Sequence, residues 1–181
     1  MIDPRPGEIL LPIARAAIAR ELGEARPASE EAQWLRDPGA TFVTLKQGEK
    51  LRGCIGTLKA RRPLIEDLKA NAVAAAFRDP RFAPLSHDEL DRTRVEVSLL
   101  SPLEPLVCEN EEHALSQLRP AIDGVVFEYG YHQSTFLPQV WEDLPDPAEF
   151  LATLKQKAGL PPDFWDPEVK LARYMVSKWS E

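Results

Sequence analysis

A chain of 181 residues, 44% apolar and 28% charged, has the size and composition of one ordinary globular domain. Its 9 Gly and 17 Pro fall short of collagen-like or low-complexity sequence. A chain this long buries about 70% of its unfolded surface without disulfides or a structural metal. The net charge of −7 argues against a protein whose whole surface tracks nucleic acid or anionic lipid.

Leu11, Ala14, Ile18 and Leu22 recur at helical spacing, so residues 8–22 read as a helix with Pro12 in its first turn. From Gly23 to Ala40, Pro, Ser, Glu and Gly surround a lone Trp34, the pattern of a surface connection tacked down by one aromatic. Thr41 to Leu45 and Leu51 to Ile55 are the arms of a hairpin turning at Gln47-Gly48-Glu49. Pro63 opens a helix whose Ile65, Leu68, Ala72 and Ala76 form an apolar stripe ending at Phe77. Ser86 and Glu89 have the spacing of a capping box and start a short helix. Val95, Val97 and Leu99 alternate with polar residues as a half-buried strand. Asn110 caps a short helix through Leu118, Val125 to Tyr129 and Ser134 to Leu137 make a second strand pair, and Asp146 caps a helix that Gly159 ends. Val169 to Trp179 is read as a strand. No repeat of 20 to 50 residues is present, and hairpins interleaved with helices predict one α+β domain, a mainly antiparallel sheet with flanking helices.

Cys54 and Cys108 stand far apart, and His87, His113 and His132 lack ligand spacing, so neither a metal nor another cofactor is expected. The apolar stretch after Met1-Ile2-Asp3-Pro4-Arg5 is broken by Pro12, Arg15 and Arg20 before a signal-peptide core forms. No run approaches the roughly 18 apolar residues of a membrane span. The expected setting is the cytoplasm, with reduced thiols and no membrane contact.

Leu51-Arg52-Gly53-Cys54-Ile55-Gly56 is the most unusual stretch. On a regular strand Arg52, Cys54 and Gly56 share a face, which makes the guanidinium and the thiol neighbours. Gly53 and Gly56 signal a close approach to the backbone by a bulge, a helix or a ligand. A cation beside Cys54 favours its thiolate; the alternative is a thiol acting as a small buried hydrophobe. Between Lys46 and Arg62 six cations face one acid, a local +5 that leaves −12 for the rest. Arg61 and Arg62 just before the helix at Pro63 suit a phosphate or carboxylate, the alternative being a solvated face. Glu96 and Ser98 lie on the polar face of their strand, where Glu96 is positioned to pair an arginine. Gln139 sits where a loop leaves the sheet after Pro138, and His132 is the imidazole nearest that loop. Asp79-Pro80-Arg81-Phe82 reads as a helix end that buries Phe82.

These blocks, with Glu96-Val97-Ser98, Thr135-Phe136-Leu137-Pro138-Gln139-Val140 and Phe150-Leu151 through Lys157-Ala158-Gly159-Leu160, resemble the signature of the AMMECR-domain family. The likeness runs from about residue 8 to 181. One departure is His132-Gln133-Ser134, where a Gly commonly precedes the Thr-Phe-Leu-Pro segment. The resemblance implies a larger and a smaller lobe around a cleft, and a site around Arg52 to Gly56. It also implies partnership with a MEMO-type protein and a radical-SAM protein, the other members of the AmmeMemoRadiSam system. The chain lacks the Cys-x-x-x-Cys-x-x-Cys that holds a radical-SAM cluster.

Three functional classes follow. The first is an accessory component that binds a partner or an anionic small molecule through Arg52, Gly53, Gly56, Arg61, Arg62, Ser98 and Gln139. The second is an enzyme with Cys54 as nucleophile and Glu96 or His132 handling protons. The third is a nucleic-acid-linked regulator acting through the Lys46 to Arg62 patch, a poorer fit because no aromatics interleave with the cations.

Overall fold

The structure, a computed structural model, describes residues 5–181. In chain order the regular elements are α1 (Pro6–Glu21), β1 (Pro38–Gln47), β2 (Lys50–Gly56), β3 (Arg62–Pro63), α2 (Leu64–Phe77), β4 (Arg94–Leu100), β5 (Glu104–Leu106), α3 (Glu111–Gln117), β6 (Gly124–Tyr129), β7 (His132–Phe136), α4 (Pro147–Lys157), β8 (Lys170–Tyr174) and β9 (Val176–Ser180). Helices and two antiparallel sheets make the chain α+β, as its pattern predicts. The chain divides into two compact units, one running to Leu100 and taking in Ser177–Glu181, the other Ser101–Val176.

In the first unit the strand order is β2-β1-β4-β9, with the short β3 paired to the start of β1. Helices α1 and α2 bury Leu10, Ile13, Ile18, Leu68, Ala72 and Ala76 against Val43, Leu45, Val95 and Val97 of the sheet. At roughly 25 cal/mol per Å² of apolar surface, each of the Leu, Ile and Val side chains contributes about 1.5–3 kcal/mol. Helix α1 starts at Pro6, two residues earlier than its periodicity indicates, so Pro12 lies inside the helix and not in its first turn. A proline there removes one intrahelical hydrogen bond, and the fully buried Leu10, Ile13 and Ala14 around it hold the helix together. Helix α2 begins one residue after Pro63, and its first free N–H, on Leu64, donates to the Asp37 carbonyl at 2.8 Å.

A buried polar knot ties α2 to β1. Asp67, 1% exposed, accepts from the Thr41 N–H and hydroxyl, each at 2.8 Å, and from Arg62 Nε and Asn71 Nδ2, each at 3.0 Å. Asn71 also donates to the Thr41 carbonyl at 3.0 Å and to the Thr57 hydroxyl at 2.8 Å. The connection before β1 is pinned by a one-turn 3-10 helix, Gln33–Arg36, in which Leu35 is fully buried and Trp34 only half-buried. Trp34 packs against the core as the sequence pattern indicates, and its neighbour Leu35 is a second, deeper anchor.

The second unit carries a four-stranded sheet in the order β5-β8-β6-β7. Its core joins Phe127 and Leu171 of the sheet to Trp141 and to Phe150, Leu151 and Leu154 of α4. Trp141 stacks on Phe150 with ring centroids 3.7 Å apart and donates its indole N–H to the Asp123 carbonyl at 2.7 Å. Asn110 and Asp146 cap α3 and α4 by accepting from the N–H groups of His113 and Glu149. Gly159, with φ +86°, turns the chain away from α4 in a conformation that side chains rarely adopt. Lys155 is fully buried, paired with Glu111 and donating to the Phe164 carbonyl at 2.9 Å. The segment 169–179, expected as one strand, is two: β8 in this sheet and β9 in the sheet of the first unit, with Met175 between them. Among the described residues no helix is long and apolar enough to cross a membrane.

Candidate functional site

The site is built on the face of the first sheet that α1 and α2 leave uncovered. Val43, Leu45, Val95 and Val97 point into the helix-covered core, so the residues alternating with them point the other way. The antiparallel register puts Thr44 opposite both Cys54 and Glu96, which lines up these three side chains across β2, β1 and β4. Phe42 is likewise opposite Gly56 and Ser98, forming the adjacent row. Glu96 and Ser98, on the polar face of their strand, therefore share a face with Cys54.

Cys54 is a half-buried free thiol whose sulfur lies 3.3 Å from the Thr44 hydroxyl. Both glycines of the motif answer to close neighbours. A Cβ on Gly53 would stand 2.1 Å from the Ala75 carbonyl oxygen of α2, and one on Gly56 would stand 2.2 Å from the Phe42 ring.

Arg52 does not sit as a regular strand would place it. Leu45 pairs with Gly53 and Lys46 with Leu51, so the register skips Arg52 and leaves it as the unopposed residue of a β-bulge. Its guanidinium grips Glu89 through Nε at 2.9 Å and Nη2 at 3.0 Å, and sits 5.9 Å from the centre of the Phe82 ring. The pair holds the Glu89 carboxyl down at about 2, with help from the Ser86 N–H and Gln47. The expected pairing of Glu96 with an arginine on this strand gives way for the same reason.

The guanidinium that does approach the Cys54 segment belongs to Arg81. Strand β2 is an edge, and its outer hydrogen-bonding groups are captured there: the Cys54 N–H donates to Asp79 at 2.9 Å, and Arg81 Nη2 donates to the Cys54 carbonyl at 3.3 Å. Asp79, 4% exposed, accepts Arg81 Nε at 3.0 Å and Nη2 at 2.7 Å. Arg81, aided by the backbone N–H groups of Cys54 and of Arg81 itself, holds that carboxyl well below the ordinary carboxylate range against the opposing effect of burial. Asp79-Pro80-Arg81-Phe82, which reads in the sequence as a helix end, is thus a clamp on the free edge beside Cys54.

Glu96 is 4% exposed and meets three cations: Lys46 Nζ at 3.1 Å, Lys178 Nζ at 3.0 Å and Arg94 Nη2 at 3.6 Å. Burial pushes its carboxyl up, and the hydrogen bonds and charges of Lys178 and Lys46 outweigh that and keep it below its usual value. Thr44, Arg94 and Lys178 were not singled out as site residues by sequence reasoning, and Lys46 only as one cation of the Lys46 to Arg62 patch. The alternation of Thr44 and Lys46 with Val43 and Leu45 carried the signal for two of them.

The remaining candidates are placed elsewhere. Arg62 is bound to Asp67, so the carboxylate expected beside that helix start is the chain's own, and Arg61 is exposed. His132 and Gln139 belong to the second unit. There the His132 ring lies on Tyr131 with Nδ1 2.8 Å from the Ala158 carbonyl, and Gln139 is exposed in the one-turn helix Pro138–Glu142. Among the described residues no group of three or more His, Cys, Asp and Glu is arranged to hold a metal ion.

This fold has a close counterpart in an archaeal protein. The crystal structure of the uncharacterized protein PH0010 from Pyrococcus horikoshii is similar with a TM-score of 0.82 and 36% sequence identity, covering 97% of this chain and 91% of that one. Sequence relatives include a protein of Methanothermobacter thermautotrophicus, 40% identical over 97% of this chain and 94% of its own length. Another, from Aeropyrum pernix, is 41% identical over 99% of this chain and 80% of its own. The AMMECR1 family model matches residues 11–179. The chain belongs to the AMMECR1 family.

Proposed function

We propose that this protein is a binding component rather than a self-sufficient catalyst, and that it works alongside a MEMO-type and a radical-SAM protein in the cytoplasm. Its binding surface is the helix-free sheet face bearing Cys54, Thr44, Glu96 and Ser98. The observation that carries this reading is the row Cys54, Thr44 and Glu96 across three strands, with both glycines and the Asp79–Arg81 clamp fixing the backbone that presents it. A rigid strand face holds side chains in place better than a loop does, which lowers the ordering cost of binding. The partners themselves come from the family resemblance.

The geometry favours neither alternative. A Cys54 nucleophile calls for the Arg52 cation, which is engaged by Glu89. The nucleic-acid reading calls for free cations between Lys46 and Arg62, where Arg52 and Arg62 are each spent on an internal carboxylate.

Affinity purification of the tagged full chain from native extract tests the proposal. Recovery of a MEMO-type and a radical-SAM protein, reduced when Ser98→Arg places bulk and charge on the face, is the expected result. Capture of neither by the unaltered chain overturns it.

A further inference from the structure

One feature of the helix-free face exceeds what folding requires. Neutralising the single buried carboxylate of Glu96 takes one cation, yet three adjacent strands each supply one: Lys46 from β1, Arg94 from β4 and Lys178 from β9. Lys46 and Arg94 face each other directly across the β1–β4 ladder, an arrangement of like charges that weakens a sheet. The cluster keeps an excess of two positive charges over Glu96. Lys46, Arg94 and Lys178 side chains are 26%, 38% and 49% exposed, so their heads reach solvent.

We infer that Lys46, Arg94 and Lys178 form a subsite for an oxyanion, a phosphate or carboxylate group of a small molecule bound along this face. The inference rests on the proposed binding role of the face and names the chemistry that the face recognises. Glu96 holds the three cations in register and, as the competing anion, keeps the empty subsite from binding every passing ion. Thr44 separates Glu96 from Cys54 in the same row. With strands about 4.8 Å apart, a ligand anchored on the cations extends its body over Thr44 to the thiol within roughly 10 Å.

Isothermal titration of the full chain at fixed ionic strength, with inorganic phosphate in one arm and acetate in the other, tests the subsite. Saturable binding of either is expected, and the arm that binds tells a phosphoryl from a carboxyl head. Lys178→Ala and Arg94→Gln, both on the open side of the sheet, should each weaken it by about tenfold. Glu96→Gln, which removes the competing charge, should strengthen it several-fold if circular dichroism shows the variant folded, whereas unfolding of that variant leaves the decision to the other two. No saturable binding in either arm, or affinities that Lys178→Ala and Arg94→Gln leave unmoved, overturns the inference. Partner capture is read out separately, so the subsite can fail while the binding role stands, and the reverse.

Discussion

The two faces of the first sheet are cut from the same strands and obey opposite rules. On the helix side, Val43, Leu45, Val95 and Val97 meet the hydrocarbon of α1 and α2, and the buried charged group Asp67 is satisfied by Thr41, Asn71 and Arg62. On the other side, the part-buried Thr44, Cys54 and Ser98 and the buried Glu96 stand in rows, and cations outnumber the carboxylate they share. A period of two residues is enough to keep the rules apart. The helix side is where change costs stability, and on the proposed binding role the open side is where change costs recognition.

Gly53→Val should break the contrast most violently, because its Cβ would meet the backbone oxygen of Ala75, which cannot swing aside as a side-chain tip can. A loss of about 4 kcal/mol is expected, read as a fall of roughly 10 °C in a thermal melt; a melting temperature equal to that of Cys54→Ser would refute the ranking. Next comes Asp67→Ala, which strands the Thr41 N–H, Asn71 and Arg62 without their acceptor and should cost about 3 kcal/mol by urea denaturation.

Arg52→Gln sharpens the comparison through pH. Glu89 is depressed in the folded state from 4.5 to about 2. Its contribution is therefore complete above the unfolded value and disappears as pH falls from about 5 toward 2. Removing Arg52 should cost about 1–2 kcal/mol at pH 7, and the variant and the parent chain should converge in stability near pH 2. A constant gap between them from pH 7 to 2 would show that the ion pair is not the cause. Smallest is Cys54→Ser, a near-isosteric change at a half-buried thiol, expected within about 1 kcal/mol of the parent. A larger loss in the same melt would move Cys54 from the open face's rules to those of the core.

Much of this was legible in the chain. The hairpin at Gly48, the stripe of α2, the Ser86 and Glu89 capping box and the caps at Asn110 and Asp146 are all local devices, each written within one short segment of the chain. Strand alternation put Cys54 on one face of its strand and Glu96 with Ser98 on one face of theirs, and the pairing register makes the two faces one. Three things did not. A bulge is a mismatch between two strands, so nothing within Leu51 to Gly56 announces that Arg52 will turn to Glu89. The Asp79–Arg81 clamp acts across 25 residues of sequence on a backbone N–H, a group every residue carries. Lys178 reaches Glu96 only because the final strand leaves one sheet for the other at Met175, and the Val169 to Trp179 alternation looks the same whether or not it is broken there.

That last strand also bears on how the protein is made. Residues 177–181 bring Trp179 onto Gly7 of α1, and Glu181 to Arg15 and to the Val95 N–H, besides Lys178 to Glu96. During synthesis on the ribosome the first unit must wait, with the outer edge of β4 unpaired, until the whole second unit has emerged. Within that interval the exposed edge is a target for chaperones, and a chain without residues 177–181 would keep the first unit permanently unfinished.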